Sequence, residues 1–221
     1  MTQNLAPTMK LQFAKLMAIS LFVLAAMCGV IPSDTAHAQA DEDLLSREHI
    51  WNDTGIPVLG NADGDLTVVE YFDYQCPICK VVHPGLSRAI RDDGKVRLLS
   101  RGWPIFGGAS VYAARMALAA QYQEKFAQAH EALFAAKGPL TEASIRALLS
   151  KAGIDSAKAA DDLEVNRKTI DAALRRNAIQ ASGLGFLGTP AFIIGPYRVT
   201  GGLDAPAFKK AFADARAQSK R

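Results

Sequence analysis

The sequence lacks any concentration of charge. Its 25 Lys and Arg against 22 Asp and Glu leave a net +3 over 221 residues, spread along the chain. Nucleic-acid binding needs a basic stripe, so that class is set aside. There is no second Cys or His pair at the spacing that a four-ligand zinc site requires. The apolar run at residues 16–31 falls short of the roughly 20 residues a helix needs to cross hydrocarbon. No internal repeat or low-complexity tract occurs, and the 49% hydrophobic content is that of a chain with a core rather than of disorder.

What is present begins with a leader. Lys10 and Lys15 precede the apolar run, and Thr35-Ala36-His37-Ala38 supplies small residues after it. This pattern predicts a secretory signal peptide over residues 1–38, cleaved near Ala38. Cleavage leaves 183 residues, lowers the charge to +2 and removes Cys28, whose bulky neighbour Met27 argues against lipid attachment.

Residues 39–65 read as an N-terminal helix, over 41–53, and a turn-rich linker with a brief edge strand at 57–59. Residues 66–72, rich in β-branched and aromatic side chains, suit a strand. A turn at 73–75 leads to Cys76. A helix is expected from Pro77 to 93, with Val81, Leu86 and Ile90 buried and Pro84 a kink, followed by a strand at 96–99.

Residues 108–183 are helical in character, with Val111, Leu118, Tyr122, Phe126, Leu133 and Phe134 at a three-to-four spacing. Gly138-Pro139 and Gly153 divide the stretch into several helices. Thr141 caps one start, with Leu140 and Ile145 as a hydrophobic staple, and Asp155 caps the next. Residues 191–194 and 197–200 around Gly195-Pro196 form a hairpin, and a last helix runs from 204 to 219. Strand, helix, strand with a short Gly94 turn opens an α/β unit.

Once the leader is removed, Cys76 and Cys79 are the remaining cysteines, as Cys76-Pro77-Ile78-Cys79. A structural staple is the bland reading, but so small a ring contributes only about 2 kcal/mol by chain entropy. At a helix N-terminus, the dipole and unpaired N–H groups favour thiolate over thiol. Cys76 is then the nucleophile, and Cys79, one turn on, the resolving thiol. His83 invites a three-ligand copper site as an alternative, though a partly exposed helix histidine is the simpler reading. His49 and His130 show no cluster around them, and no metal is expected.

Glu70 is out of character in a central strand: either it faces solvent, or it lies behind the dithiol with a raised pKa and exchanges a proton with Cys79. Gly183-Leu184-Gly185-Phe186-Leu187-Gly188 has the glycine spacing of a dinucleotide loop but the wrong context, since it follows a helix and leads into a strand. It reads as a helix end and an approach to Pro190.

With Phe72-Asp73-Tyr74-Gln75-Cys76-Pro77-Ile78-Cys79-Lys80 and Gly188-Thr189-Pro190-Ala191-Phe192, the chain resembles the DsbA family of bacterial periplasmic oxidoreductases. The resemblance implies an α/β thioredoxin fold, a central mixed β-sheet flanked by helices, in two parts (66–107 and 184–221) separated by an all-helical insertion at 108–183. It implies that Cys76 is a surface nucleophile, Cys79 its buried partner and Glu70 the buried acid. It makes Pro190 a cis-proline whose neighbour Thr189 pairs with extended substrate, and Pro77 and Ile78 the motif between the cysteines.

Two features depart from strongly oxidising members. Ile78 stands where they carry histidine, and Thr189 is more similar to isomerases, reductases and the copper-tolerance oxidoreductases called ScsC. The expected activity is disulfide exchange with exported proteins that carry thiols or disulfides, without a cofactor. A DsbA-like oxidase is favoured, with a ScsC- or DsbC-like reductase or isomerase as the alternative and a copper-handling module as the non-enzyme alternative. A membrane redox partner, quinone-linked and DsbB-like or else DsbD-like, is implied, as is a periplasmic location. A monomer is favoured, because residues 41–60 are too short for the isomerases' dimerisation domain, although a short trimerising stalk remains open.

Overall fold

The computed structural model describes residues 43–219; the expected signal peptide, its cleavage site and Cys28 lie outside them. Asp43 and Leu44 are helical, a turn and bend at Leu45 and Ser46 follow, and a short helix, α1 (Arg47–Trp51), starts anew because the Ser46 side chain caps it by accepting the His49 N–H. Among the described residues, the helix expected over 41–53 is therefore interrupted at Leu45 and Ser46 and ends at Trp51. Strand β1 (Val58–Gly60) follows, then β2 (Leu66–Phe72), α2 (Pro77–Asp93) and β3 (Val96–Gly102). Gly94 ends α2 with φ +70°, its N–H returning to the Ile90 carbonyl, a conformation that glycine adopts without strain.

Between β3 and the next strand lie α3 (Gly108–Ala119), a 3₁₀ turn (Ala120–Gln123), α4 (Phe126–Phe134), α5 (Glu142–Lys151) and α6 (Ser156–Gly183). Thr141 and Ser144 form a reciprocal capping box at the start of α5, with Leu140 and Ile145 buried on either side. The Asp155 side chain accepts the N–H groups of Ala157 and Lys158 at the start of α6. The hairpin β4 (Ala191–Ile194) and β5 (Tyr197–Thr200) and the helix α7 (Ala205–Ser219) complete the described chain.

The five strands lie in the order β1-β3-β2-β4-β5. β2 and β3 are parallel, with Glu70 opposite Ser100; the other neighbours are antiparallel. This is a thioredoxin fold with a mixed sheet. Alternation along the central strands divides the core. Leu66, Val68 and Leu98 pack with Val82, Leu86 and Ile90 of α2 and Phe208 and Phe212 of α7. Val69, Tyr71 and Leu99 pack toward α3 and α6.

Two expectations are corrected. Val81 is 80% exposed; the buried stripe of α2 is Cys79, Val82, His83, Leu86, Ala89 and Ile90, so of two adjacent valines the second faces inward. Strand β3 extends through Ser100 and Arg101, which look like loop residues but are buried beside Glu70 and Tyr71.

Arg101 explains how a charge fits there. Its guanidinium donates to the carbonyls of His49 and Ile50, each at 2.9 Å, to Asp53 at 3.2 Å and to Asn177 at 3.1 Å. Asp53 is also bound by Arg176. The segment around α1 is thereby tied to β3 and α6.

Candidate active site

Cys76 is the N-cap residue of α2, with extended backbone angles, and Pro77 occupies the first turn, where a missing N–H costs nothing. The Cys76 Sγ accepts the Cys79 N–H at 3.3 Å, and its thiol donates to the Thr189 carbonyl at 3.2 Å. Both cysteines are free thiols. Cys76 is 2% exposed, which corrects the expectation of a surface nucleophile: the backbone before Pro190 lies over the sulfur. Pro77 and Ile78, the latter at 54%, are the exposed members of the motif.

The two thiols are driven apart electrically. The hydrogen bond from the Cys79 thiol, which outweighs burial, together with the backbone N–H groups of Cys79 and Ile78, pulls the Cys76 pKa down to about 6. The same shared proton, with burial, pushes Cys79 far up. One sulfur is a thiolate near neutrality, and the other keeps its proton until something takes it.

The turn before the dithiol does more than connect. The Asp73 carboxylate is buried and accepts from the backbone N–H groups of Gln75 at 2.7 Å, Ile105 at 2.7 Å and Phe106 at 2.9 Å, and from the Ser110 hydroxyl at 2.7 Å. The Gln75 side chain donates to the Phe106 carbonyl and accepts the Leu140 N–H. Lys80 reaches the Ala136 carbonyl. The segment leading into Cys76 thus holds both the β3–α3 and the α4–α5 connections. Reading by pattern saw only a turn here, although an Asp two residues before an N–H it can accept is a known local signal. Asp73→Asn should lower stability by about 2–3 kcal/mol, since an amide cannot serve four donors; the midpoint of urea unfolding measures it.

Glu70 lies on the face of β2 that carries Leu66 and Val68, toward α2, fully buried, with no hydrogen-bond partner for either oxygen among the described residues. Burial raises its pKa to about 7, with His83 opposing and Glu131 adding to the rise.

His83 differs from the expectation of partial exposure, and His130 joins it in the core. His83 is buried, its ring stacked on Phe134 with centroids 4.1 Å apart, and its Nε2 is 3.1 Å from the Glu131 carboxylate. Its place at Cys79 plus four, on the buried stripe of α2, was the available signal. His130 is also buried, its Nδ1 3.0 Å from the Tyr74 hydroxyl and its ring edge-on to Phe72 and Phe134. The spacing Phe126, His130, Phe134 on α4 puts all three on one face. Among the described residues, no group of three or more His, Cys, Asp or Glu could hold a metal ion.

The glycine-rich stretch behaves as a connector: α6 ends at Gly183, Gly185 has φ +78°, and the Thr189–Pro190 peptide is cis as it enters β4. The Thr189 backbone arrives at Cys76 from 113 residues away.

The DSBA-like thioredoxin domain family matches residues 67–213. The chain belongs to that family. The DSBA-like domain is similar to a thioredoxin-like oxidoreductase from Silicibacter pomeroyi, 36% identical with a TM-score of 0.75, covering 78% of this chain and 98% of that one. It is similar to the thiol-disulfide exchange protein alpha-DsbA2 from Wolbachia pipientis, 28% identical, TM-score 0.72, over 81% and 97% of the two chains. It also matches the catalytic domain of Proteus mirabilis ScsC, 27% identical, TM-score 0.71, over 79% and 98%.

Among curated proteins, the Na(+)/H(+) antiporter NhaA 1 of Salinispora arenicola is 27% identical over 165 residues, 74% of this chain and 25% of that protein. The chain spans about a quarter of the length of the first curated relatives it matches. Among its described residues, no helix is long and apolar enough to cross a membrane.

Proposed function

We propose that this protein is a periplasmic thiol–disulfide oxidoreductase that exchanges disulfides with exported proteins through a mixed disulfide on Cys76. The observation that carries the reading is the pair itself: Cys76 at the N-cap of α2, bonded by the Cys79 N–H and lowered to about 6, with Cys79 buried and raised.

In the oxidase direction, a substrate thiolate attacks the Cys76 sulfur of the Cys76–Cys79 disulfide, and Cys79 departs and takes a proton. A second substrate thiolate then attacks the substrate sulfur of the mixed disulfide and expels Cys76 as a thiolate, a good leaving group at its depressed pKa. The substrate loses two electrons and the protein gains them. A quinone-linked, DsbB-like membrane partner would remove them. Glu70, titrating near 7 within the core, is suited to give Cys79 its proton and to take it back. Thr189 and Pro190 would seat extended substrate beside the sulfur, the Thr189 backbone pairing as a strand edge does, with Ile78 against apolar side chains. The 1–38 leader supports the location.

A reductase or isomerase, kept reduced by a DsbD-like partner, is the second reading. Thr189 before Pro190, Ile78 between the cysteines and the likeness to ScsC favour it. Equilibration with glutathione decides the direction. A potential close to about −120 mV, the DsbA value, supports the oxidase, and one approaching the thioredoxin value of about −270 mV supports the reductase. A pair that does not equilibrate with glutathione at all would rule out both.

A further inference from the structure

Two side chains flanking the dithiol reach into the helical insertion at the same place. Gln75, next to Cys76, accepts the Leu140 N–H at 3.0 Å, and Lys80, next to Cys79, donates to the Ala136 carbonyl at 3.0 Å. Both bonds grip the connection between α4 and α5. Ala136, Pro139 and Leu140 of that connection line a cavity of about 290 Å³, together with Ala147 and Leu148 of α5. The cavity is therefore one residue and one hydrogen bond away from Cys76.

Its polar groups are of one kind. Ser144 also lines it, but its hydroxyl is engaged with the Thr141 backbone in the capping box. The remaining two are Lys137 and Lys151, both exposed and, among the described residues, without a carboxylate partner. Glu142, the acid of the first turn of α5, is paired with Arg146 instead. An apolar hollow flanked by two ammonium groups complements an aliphatic side chain that has a carboxylate beside it.

We propose that this cavity holds an aliphatic side chain of an exported polypeptide, adjacent to an Asp or Glu and a few residues from the cysteine that bonds to Cys76. The inference rests on the oxidoreductase reading of Cys76 and Cys79 and adds a substrate class to it. The volume lies at the low end of the roughly 300–1,000 Å³ of small-molecule pockets, which suits side chains better than a cofactor. Substrate bound at Cys76 lies beside Gln75, and an extended chain, at about 3.3 Å per residue, crosses from there to the cavity in about four residues. Because Gln75 and Lys80 brace its wall, the cavity keeps its place relative to the sulfur.

The test uses the oxidised protein and synthetic cysteine peptides of Gly and Ser in which a Leu-Asp pair is walked from the adjacent position to about six residues away on either side. Acid quenching and mass spectrometry give the rate of mixed-disulfide formation. At a position about four residues out, the Leu-Asp peptide should react about tenfold faster than its Ser-Asp counterpart. Changing that Asp to Asn should cost about threefold at low salt and almost nothing at about 1 M. Ala147→Gln, which puts a longer side chain into the cavity from an exposed helix position, should reduce the Leu preference to within about twofold. Lys137→Gln combined with Lys151→Gln should remove the Asp preference and keep that for Leu. Each preference is a ratio of two peptides on the same protein, so any loss of folded protein cancels. Wild type indifferent to Leu at every position, or a Leu preference that Ala147→Gln leaves intact, would overturn the site while leaving the oxidoreductase reading standing. Dimers in sedimentation that Ala147→Gln dissociates, without a peptide preference, would give the cavity to a second copy and likewise overturn it. Wild type that forms a mixed disulfide with neither peptide nor glutathione would overturn the oxidoreductase reading itself.

Discussion

Cys76→Ser should abolish disulfide exchange, and in the unaltered protein the rate of alkylation of Cys76 by iodoacetamide should rise with pH through a midpoint near 6. Free cysteine ionises near about 8.5, so at pH 7 most of Cys76 is thiolate and little of an unstructured thiol would be. Cys79, pushed the other way, should stay unmodified until the protein unfolds. The same displacement links redox state to stability. A folded-state pKa below the unfolded value contributes stability that is complete above the unfolded pKa and is lost as pH falls toward the folded one. The reduced protein should therefore gain Tm relative to the disulfide form from pH 6 up to about pH 8.5, above which the raised Cys79 opposes the gain, as calorimetry of both forms would measure. A Cys76 that alkylates with the pH profile of free cysteine would remove the basis of the functional reading.

Arg101→Met should cost about 3–5 kcal/mol, the range for breaking a buried ion pair by removing one partner. The loss has several sources. Asp53 keeps Arg176 but loses its buried partner, and the His49 and Ile50 carbonyls and the Asn177 amide each lose a donor. Arg101→Lys should recover less than half of the loss, because one ammonium cannot reach four acceptors in a fork geometry. Asp53 adds an acid limb. Arg176 and Arg101, against the effect of burial, hold its pKa below the ordinary value. Its contribution is present at neutral pH and disappears as pH falls through that depressed value. Urea midpoints at pH 7 and at about pH 2, below the ordinary carboxylate range, would measure both effects. A cost under about 1 kcal/mol for Arg101→Met would mean that the α1 segment merely rests on the core.

These residues also mark where pattern reading stops. Hydrophobic alternation and helical spacing identify the strands of the central sheet, the helices between Gly108 and Gly183 and the caps at Thr141 and Asp155, because each depends on neighbours a few positions away. Arg101, Asp73, His83 and His130 are polar groups made affordable inside the core by partners tens of residues distant, and a periodicity scan treats them as solvent-facing. Val81 shows the converse: an apolar residue one position off the buried stripe of α2. The dithiol was legible because its two members are three apart, and the burial of Cys76 was not, since the group covering it comes from beyond the helical insertion. Glu70 falls between these cases, visible as an oddity in a strand but without any sign of which neighbours would act on it.

That covering group has a consequence for the protein's birth. Synthesis delivers Cys76 and Cys79 long before the stretch containing Thr189, so an emerging chain displays the pair while the backbone that screens it is still missing. Only when the terminal hairpin takes its seat beside the first long strand does the leading sulfur acquire its shelter. An immature copy is thus open to reagents in solution, and completing the sheet is the event that closes the leading sulfur off from them.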